Sequence, residues 1–381
     1  MPAELPAQGL RRYHAPMSDV LAQIQHRVRQ AHAQQTPLSI RGGGTKAFHP
    51  LGAPAPGQTL ELRPLAGVIE HEPTELVITV RAGTRVDEVQ ALLARHGQCL
   101  AFEPPQFAPG GTVGGMVASG LSGPARASVG ALRDFVLGVE LLNGQGELLR
   151  FGGQVMKNVA GYDVSRLMAG SWGQLAVITE VSLKVLPVAP AEATLRFELD
   201  QAQALAQLHR WGGQPLPLNA SCWVQDEGRG VLYVRLRGAQ AAVRSACAQM
   251  GGERLHEVQG DWDACRDHSL PWFAARAPQH ALWRLSLPQT APVLALPPGV
   301  DAPLVEWHGG LRWVQAAESA GEALRAAARA AGGSACVFRA ADADGTRARA
   351  VFDLESPSLQ AIHHRLKQAF DPAGIFNTGR A

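Results

Sequence analysis

Between Pro109 and Pro124, six of sixteen residues are glycine, set among Val113, Met116, Val117 and Leu121. A flexible linker is rich in Gly and Ser and lacks apolar residues of this kind. Glycine at this density lets the backbone come close to a ligand and turn its N–H groups inward, with no Cβ in the way. Successive inward N–H groups make a concavity suited to phosphate or pyrophosphate. A second glycine loop, Arg41-Gly42-Gly43-Gly44-Thr45-Lys46, follows a predicted strand at Leu38-Ser39-Ile40. Two such loops point to a bound dinucleotide.

The nicotinamide fingerprint requires G-x-G-x-x-G between a strand and a helix. Neither Arg41 to Ala47 nor Gly110 to Gly115 has that spacing. The Walker pattern G-x-x-x-x-G-K-[ST] is absent as well. A Rossmann NAD protein and a P-loop ATPase are therefore poor fits.

A chain of 381 residues exceeds one ordinary core, so two domains are expected. With 46% hydrophobic and 18% charged residues it reads as globular. Net charge is +2 and no basic run is interleaved with aromatics, which argues against nucleic acid. No run of apolar residues is long enough to span a bilayer. Met1-Pro2-Ala3-Glu4 lacks the features of a secretory leader, so a cytoplasmic place is expected. The five cysteines are scattered with no CxxC pair, which argues against an iron–sulfur or zinc site in this chain.

Along the chain, Ser18 is expected to cap a helix carrying Val20, Ile24 and Val28 on one face. Leu76 to Val80 reads as a strand. Thr84 to Asp87 resembles a capping box opening a helix that stops at Gly97. Phe135–Leu142 and Glu147–Phe151 are predicted strands around a tight turn at Asn143-Gly144. Asp163 is expected to cap a short helix ending at Ala169. Ala176 to Leu186 alternates as a strand. Pro187 to Pro190 reads as a boundary. Beyond it, the pattern is a β-α-β-β-α-β-like unit that repeats loosely from Ala281 to Arg339, over an antiparallel sheet. The tail from about Pro357 holds a helix and ends in Asp371-Pro372-Ala373-Gly374-Ile375-Phe376-Asn377-Thr378-Gly379-Arg380.

The N-terminal half resembles the FAD-binding domain of the vanillyl-alcohol oxidase/p-cresol methylhydroxylase (PCMH) family. Arg41 to Thr45 matches its first loop, and Gly111-Thr112-Val113-Gly114-Gly115 matches its P-G-T-I/V-G-G loop. The run from Lys157 through Tyr162 to Ser171, continuing as Gly173 to Glu180, is similar to the glycolate oxidase and D-lactate dehydrogenase branch. Ala176 stands where that branch usually has glycine. The tail resembles the family's D-P-x-x-I/L-N-P-G-K/R, with Thr378 in place of proline. Gly120 to Pro124, Arg133 to Gly138, Leu183 to Pro187 and Gly310 to Trp313 carry a closer match to the FAD-binding subunits of bacterial glycolate oxidases.

The resemblance implies an α+β chain. Residues 1–190 would be a two-part PCMH-type FAD-binding domain, 191–355 an α+β cap or substrate domain with an antiparallel sheet, and 356–381 a segment returning to the flavin. It implies that Arg41, Gly42, Gly43, Gly44 and Thr45, with Gly110, Gly111, Thr112, Val113, Gly114 and Gly115, bracket the pyrophosphate of a non-covalent FAD. Ser119, Gly120 and Gly173 join that set, and Ile178 would offer backbone groups to adenine. Asn377 and Arg380 would return to the flavin pyrimidine, where a cation favours the reduced ring. Tyr162 is placed either on the flavin or in the core. Gly114→Val is expected to cost FAD binding far more than stability.

The implied activity is FAD-dependent oxidation of the CH–OH of a small 2-hydroxy acid, glycolate to glyoxylate, within a complex. The implied partners are a larger flavin-containing catalytic subunit and an iron–sulfur subunit, with no nucleic acid and no transmembrane segment of the chain's own. Membrane attachment would come through the complex. No catalytic base is nominated. The H-G-E-H-G-type stretch of the branch's catalytic subunits is absent; Trp307-His308-Gly309-Gly310 is the nearest stretch, and its lone histidine reads as structural. His363-His364 reads as a solvated face, and His49 leaves open a covalent flavin link. Two rivals stand beside this reading. One is a self-sufficient 2-hydroxy-acid oxidoreductase of D-lactate type, the other a non-catalytic structural subunit.

Overall fold

The computed structural model describes residues 17–153, 163–226, 228–341 and 356–378. The helix Met17–Gln34 lays Ile24, Val28 and Ala31 against Leu38, Leu60, Ile375 and Phe376. Packing of that face, more than a cap, fixes such a helix. Ser18 stands inside it and not at its N-cap. Leu38–Arg41 then pairs in parallel with Gln58–Glu61. On the other side of Leu38 the tail adds a parallel bridge through Phe376.

Five antiparallel strands follow, in the spatial order Val68–Glu72, Val77–Arg81, Val177–Lys184, Val136–Leu142, Leu148–Gly152. One face packs on the helices Val86–Arg95 and Val113–Ser119 through Val80, Val89, Val113, Val117 and Leu141. The strand Val177–Lys184 is central, so residues on both of its faces are buried, Ile178 included.

One local expectation fails here because a side chain found a distant backbone partner. Thr84 does not form a capping box. Its Oγ1 accepts from Gly67 N–H at 2.9 Å and donates to Gly67 O at 3.1 Å, while Arg85 is the N-cap without a side-chain bond. The tight turn expected at Asn143-Gly144 is present, closed by Gly146 N–H donating to Asn143 O at 3.0 Å. The loop runs to Glu147, because Asn143 Oδ1 accepts from both Gln145 N–H and Glu147 N–H, and Gly144 N–H is drawn to Phe370 O. Asp163 does cap its helix, accepting from Arg166 N–H at 3.1 Å.

Residues 191–339 form an eight-stranded antiparallel sheet. Its order is Glu253–Leu255, Ala191–Glu198, Arg229–Gly238, Leu218–Asp226, Leu304–Glu306, Leu311–Ala316, Ala281–Ser286, Ser334–Arg339. The first half is β-α-β-β-α-β, with a full capping box between Asp200 and Gln203. The second half lacks the helix after its first strand. Its place is taken by 287–303, which holds Pro288, Pro292, Pro297, Pro298 and Pro303. Proline removes the helical N–H and clashes with the preceding turn. The buried Arg312 holds this segment instead, donating to Pro292 O and Ala291 O at 2.6 and 2.7 Å.

The two sheets are joined by an aromatic cluster and by one carboxylate. Phe48 and Phe107 pack with Trp313 and Phe338. Glu103 accepts from Arg235 at 2.6 Å, Arg237 at 3.2 Å and Ala125 N–H at 3.0 Å.

Candidate functional site

At Arg41 the parallel strand ends and the chain turns back on itself. Gly44 takes a left-handed φ of 68°, which glycine adopts without strain. The backbone N–H groups of Gly42, Gly43, Gly44, Thr45 and Lys46 find no acceptor among the described residues. All five residues line one cleft. A row of unpaired N–H groups facing a concavity is an anion site in waiting.

The second loop behaves differently from what its glycines imply. Val113 N–H donates to Thr84 O, Gly114 N–H to Ala82 O, and Gly115 N–H to Thr112 Oγ1. These donors tie the loop to the end of the strand Val77–Arg81 and are not free for a pyrophosphate. The glycines are needed for backbone approach within the protein. A Cβ on Gly43 would stand 1.9 Å from Gly110 O, and one on Gly42 2.3 Å from Thr112 Oγ1. One on Gly114 would meet Ala82 Cβ at 2.8 Å. The expectation for Gly114→Val is corrected accordingly. Valine there would strike the strand end and cost stability directly.

Thr112, Gly114, Gly115 and Ser119 line the cleft beside the first loop. Gly110 and Gly111 lie behind it, against Gly43 and Thr45. Val113 is fully buried in the core. Gly120 is a left-handed helix cap whose N–H is bound to Met116 O and Val117 O, and it faces a second cavity. From elsewhere in the chain, Gly173, Ile178 and Asn377 reach the cleft. Asn377 is buried and fully engaged: its Oδ1 accepts from Ile40 N–H and its Nδ2 donates to Trp172 O, each at 2.9 Å. It holds the cleft's wall together. Gly173 has a φ of 68°, and a Cβ on it would meet Asn377 Nδ2 at 2.7 Å. Tyr162 and Arg380 lie outside the described residues.

Lys46 and Trp172 also line the cleft, and sequence reasoning passed over both. Burial, with no carboxylate partner among the described residues, pushes Lys46 down to about 8. Its signal was adjacency to a glycine loop; its burial comes from long-range packing. Trp172 stacks flat on His49, with ring centroids 4.2 Å apart.

That stack is the partition to the second cavity, which shares Ser119 and Trp172 with the cleft. His49 and His268 both face it, and burial pushes each down to about 3. His49 Nδ1 accepts from Leu51 N–H at 3.1 Å. His268 Nδ1 is buried without a partner among the described residues. His308 is bridged between Ser221 Oγ and Ser128 Oγ at 3.0 Å each, and burial pushes it to about 4, in keeping with a structural role. His363 and His364 are exposed on the helix Pro357–Phe370. Among the described residues no group of three or more His, Cys, Asp and Glu could hold a metal ion, and no helix is long and apolar enough to cross a membrane.

Comparison with known proteins agrees with this geometry. Residues 19–152 match the family described as a FAD binding domain. The chain is 44% identical over 354 residues to the glycolate oxidase subunit GlcE of Escherichia coli, covering 93% of this chain and 95% of that one. It is 30% identical over 174 residues to the glycolate oxidase subunit GlcD of Bacillus subtilis, and 31% identical over 157 residues to the D-lactate dehydrogenase of Archaeoglobus fulgidus. Those matches cover 45% and 41% of this chain but only 37% and 35% of the relatives. Among solved structures, alkyldihydroxyacetonephosphate synthase superposes with a TM-score of 0.62 at 14% identity, over 93% of this chain and 74% of that one, and so shares the fold. The α+β architecture, the open row of N–H donors and the near full-length match together establish that this chain belongs to the FAD-binding oxidoreductases, in the family of the glycolate oxidase subunit GlcE.

Proposed function

We propose that this chain is the FAD-binding subunit of a multi-subunit glycolate oxidase that converts glycolate to glyoxylate. The observation that carries the reading is the open N–H row from Gly42 to Lys46, set in a cleft closed by Gly115, Gly173 and Asn377. The residues fit the diphosphate of FAD. Five backbone donors and the buried Lys46 ammonium line the cleft where a Cβ on Gly43 would fill the space between the loops. When bound, FAD supplies a two-electron acceptor for hydride from the 2-hydroxy acid. The protein's part is to fix and shield it: Thr45 and Lys46 at the diphosphate, Ile178 along the wall, and Trp172 at the partition. We read the flavin as non-covalent, since His49 lies flat on Trp172 with Nδ1 already used. We place residues 1–190 as the flavin domain, 191–355 as the cap and 356–381 as the closing segment. The partners would be a larger flavin subunit and an iron–sulfur subunit in the cytoplasm, with membrane contact through them.

Acid precipitation of the purified chain should release a yellow supernatant. A dye-reduction assay should show little glycolate oxidation by the lone chain and strong oxidation by the reconstituted complex. Vigorous turnover by the lone chain that vanishes in His308→Ala would favour the self-sufficient rival. A colourless native protein would favour the structural one.

Lys46 gives a pH signature. Its folded pKa without ligand, about 8, lies below the ordinary 10.5. Between those values the unfolded chain holds the proton and the folded chain does not. Flavin-free stability therefore rises with pH across that window. The diphosphate charge restores the proton, so FAD affinity should be flat below about pH 8 and fall above it, by at most about tenfold per pH unit. Lys46→Met should weaken FAD binding roughly 10- to 100-fold, the worth of a charge-assisted contact, and flatten that dependence. Fluorescence titration of the flavin-free chain at several pH values reads both effects, and an unchanged pH profile in the variant would exclude Lys46 from the site.

A further inference from the structure

The cavity behind the Trp172–His49 partition has a volume of about 310 Å³, ample for a small acid. It is lined by three arginines, Arg126, Arg133 and Arg284. Among the described residues none of the three has a carboxylate within ion-pairing distance, whereas Arg81, Arg235, Arg237 and Arg266 each do. Arg126 and Arg284 both lie over the Trp307 ring, 4.4 and 5.3 Å from its centroid. The indole is fixed, donating to Gly123 O at 3.0 Å, and cannot swing away to part the two cations. Desolvation lowers the pKa of both guanidinium groups, and Arg284 lowers that of Arg126 further by repulsion.

The nearest acids act on them only from beyond ion-pairing distance, Asp134 on Arg126 and Glu306 on Arg284. Asp134 accepts from Ala131 N–H at 2.9 Å. Glu306 accepts from Trp313 Nε1 at 2.7 Å and from the Cys265 thiol at 3.3 Å, and burial pushes it up to about 7, which removes much of its charge. Two like charges held on one fixed ring, with no ion-paired carboxylate among the described residues and a His268 Nδ1 that finds no partner there facing the same space, are an arrangement that an anion completes.

We propose that this cavity is a carboxylate chamber: Arg126 and Arg284, with Arg133 at its edge, take the carboxylate of the 2-hydroxy acid, so that this chain binds substrate itself and does not merely relay electrons. The inference rests on the functional reading above. Trp307 serves as the platform that keeps both guanidinium groups in place. The same two arginines, with Trp307, also line a neighbouring cavity that includes Asp134 and Gln289, which gives the chamber a second, charged approach.

The test uses the full chain loaded with FAD, with flavin content read separately from its absorbance. Oxalate, glycolate and inorganic phosphate are titrated by calorimetry, and Trp fluorescence is followed in parallel. Oxalate and glycolate should bind, and both should perturb the Trp signal. Arg126→Gln and Arg284→Gln should each weaken oxalate roughly tenfold or more at unchanged flavin content. Arg126 is exposed, so its variant carries the test if Arg284→Gln does not fold. Loaded protein that binds neither carboxylate, variants that bind oxalate as the parent does, or phosphate bound in preference to both would overturn the chamber while leaving the flavin reading intact. A chain that takes up no flavin would overturn that reading, and the chamber with it.

Discussion

Glu103→Ala is expected to destabilise the protein by roughly 3–5 kcal/mol, the cost of leaving a buried charge without its partner. Arg235 is 1% exposed and points its guanidinium at Glu103 from the eight-stranded sheet, while Glu103 itself sits in the loop that follows the first core. Asn219 would remain as a neutral acceptor, which offsets only part of the loss. Arg237 keeps Glu192 and suffers less. Ala125 N–H would lose its acceptor as well. Calorimetry should show a drop in Tm on the order of 10 °C for a chain this large. Glu103→Gln keeps the shape and one acceptor, so it should recover part of the loss. A Tm for Glu103→Ala within about 2 °C of the parent would mean that the two sheets are held by the aromatic cluster alone.

Gly43→Ala is expected to lower FAD affinity on the order of a hundredfold, combining overpacking with the loss of aligned donors. A Cβ 1.9 Å from Gly110 O cannot be absorbed by a side-chain rotation, because the obstacle is backbone. The first loop must therefore lift, and its N–H row loses its common focus. The flavin-free chain should melt somewhat below the parent as well, because the added Cβ strikes the protein's own backbone and not the ligand. Gly114→Val presses on Ala82 and should likewise lower the melting temperature of the flavin-free form. Equal flavin content in Gly43→Ala and the parent would show that the first loop does not hold the diphosphate.

The pattern of the cores was legible where it is local. The alternation of Val177 to Val185 marked a strand, though not its central place, and Asp163 announced its own cap. The two glycine loops were legible as a pair because glycine density is a property of the sequence. Their division of labour was not. That Gly114 N–H turns to Ala82 O and not to a ligand depends on a contact spanning some thirty residues, which no spacing rule encodes. Thr84 misled for the same reason, its hydroxyl being spent on Gly67. The arginine pair on Trp307 joins residues from three separate stretches, Arg126, Arg284 and Trp307, none in a motif. The missing helix in 287–303 is different, because five prolines wrote its absence plainly and the apparent repeat hid it.

The tail has a bearing on how the protein is made. Asp371 is buried, pairs with Lys367 and accepts from Ile375 N–H and Phe376 N–H, and so shapes the turn that carries Asn377 to Ile40 and Trp172. Residues from the start, middle and far end of the chain thus share one wall of the cleft. A ribosome elongating this polypeptide would have to release Asn377 from its exit tunnel before that wall could close. Chains cut short by a premature stop before Asn377 are therefore expected to emerge with both glycine loops intact and to lack the hydrogen bonds that join Ile40 to Trp172 across the wall.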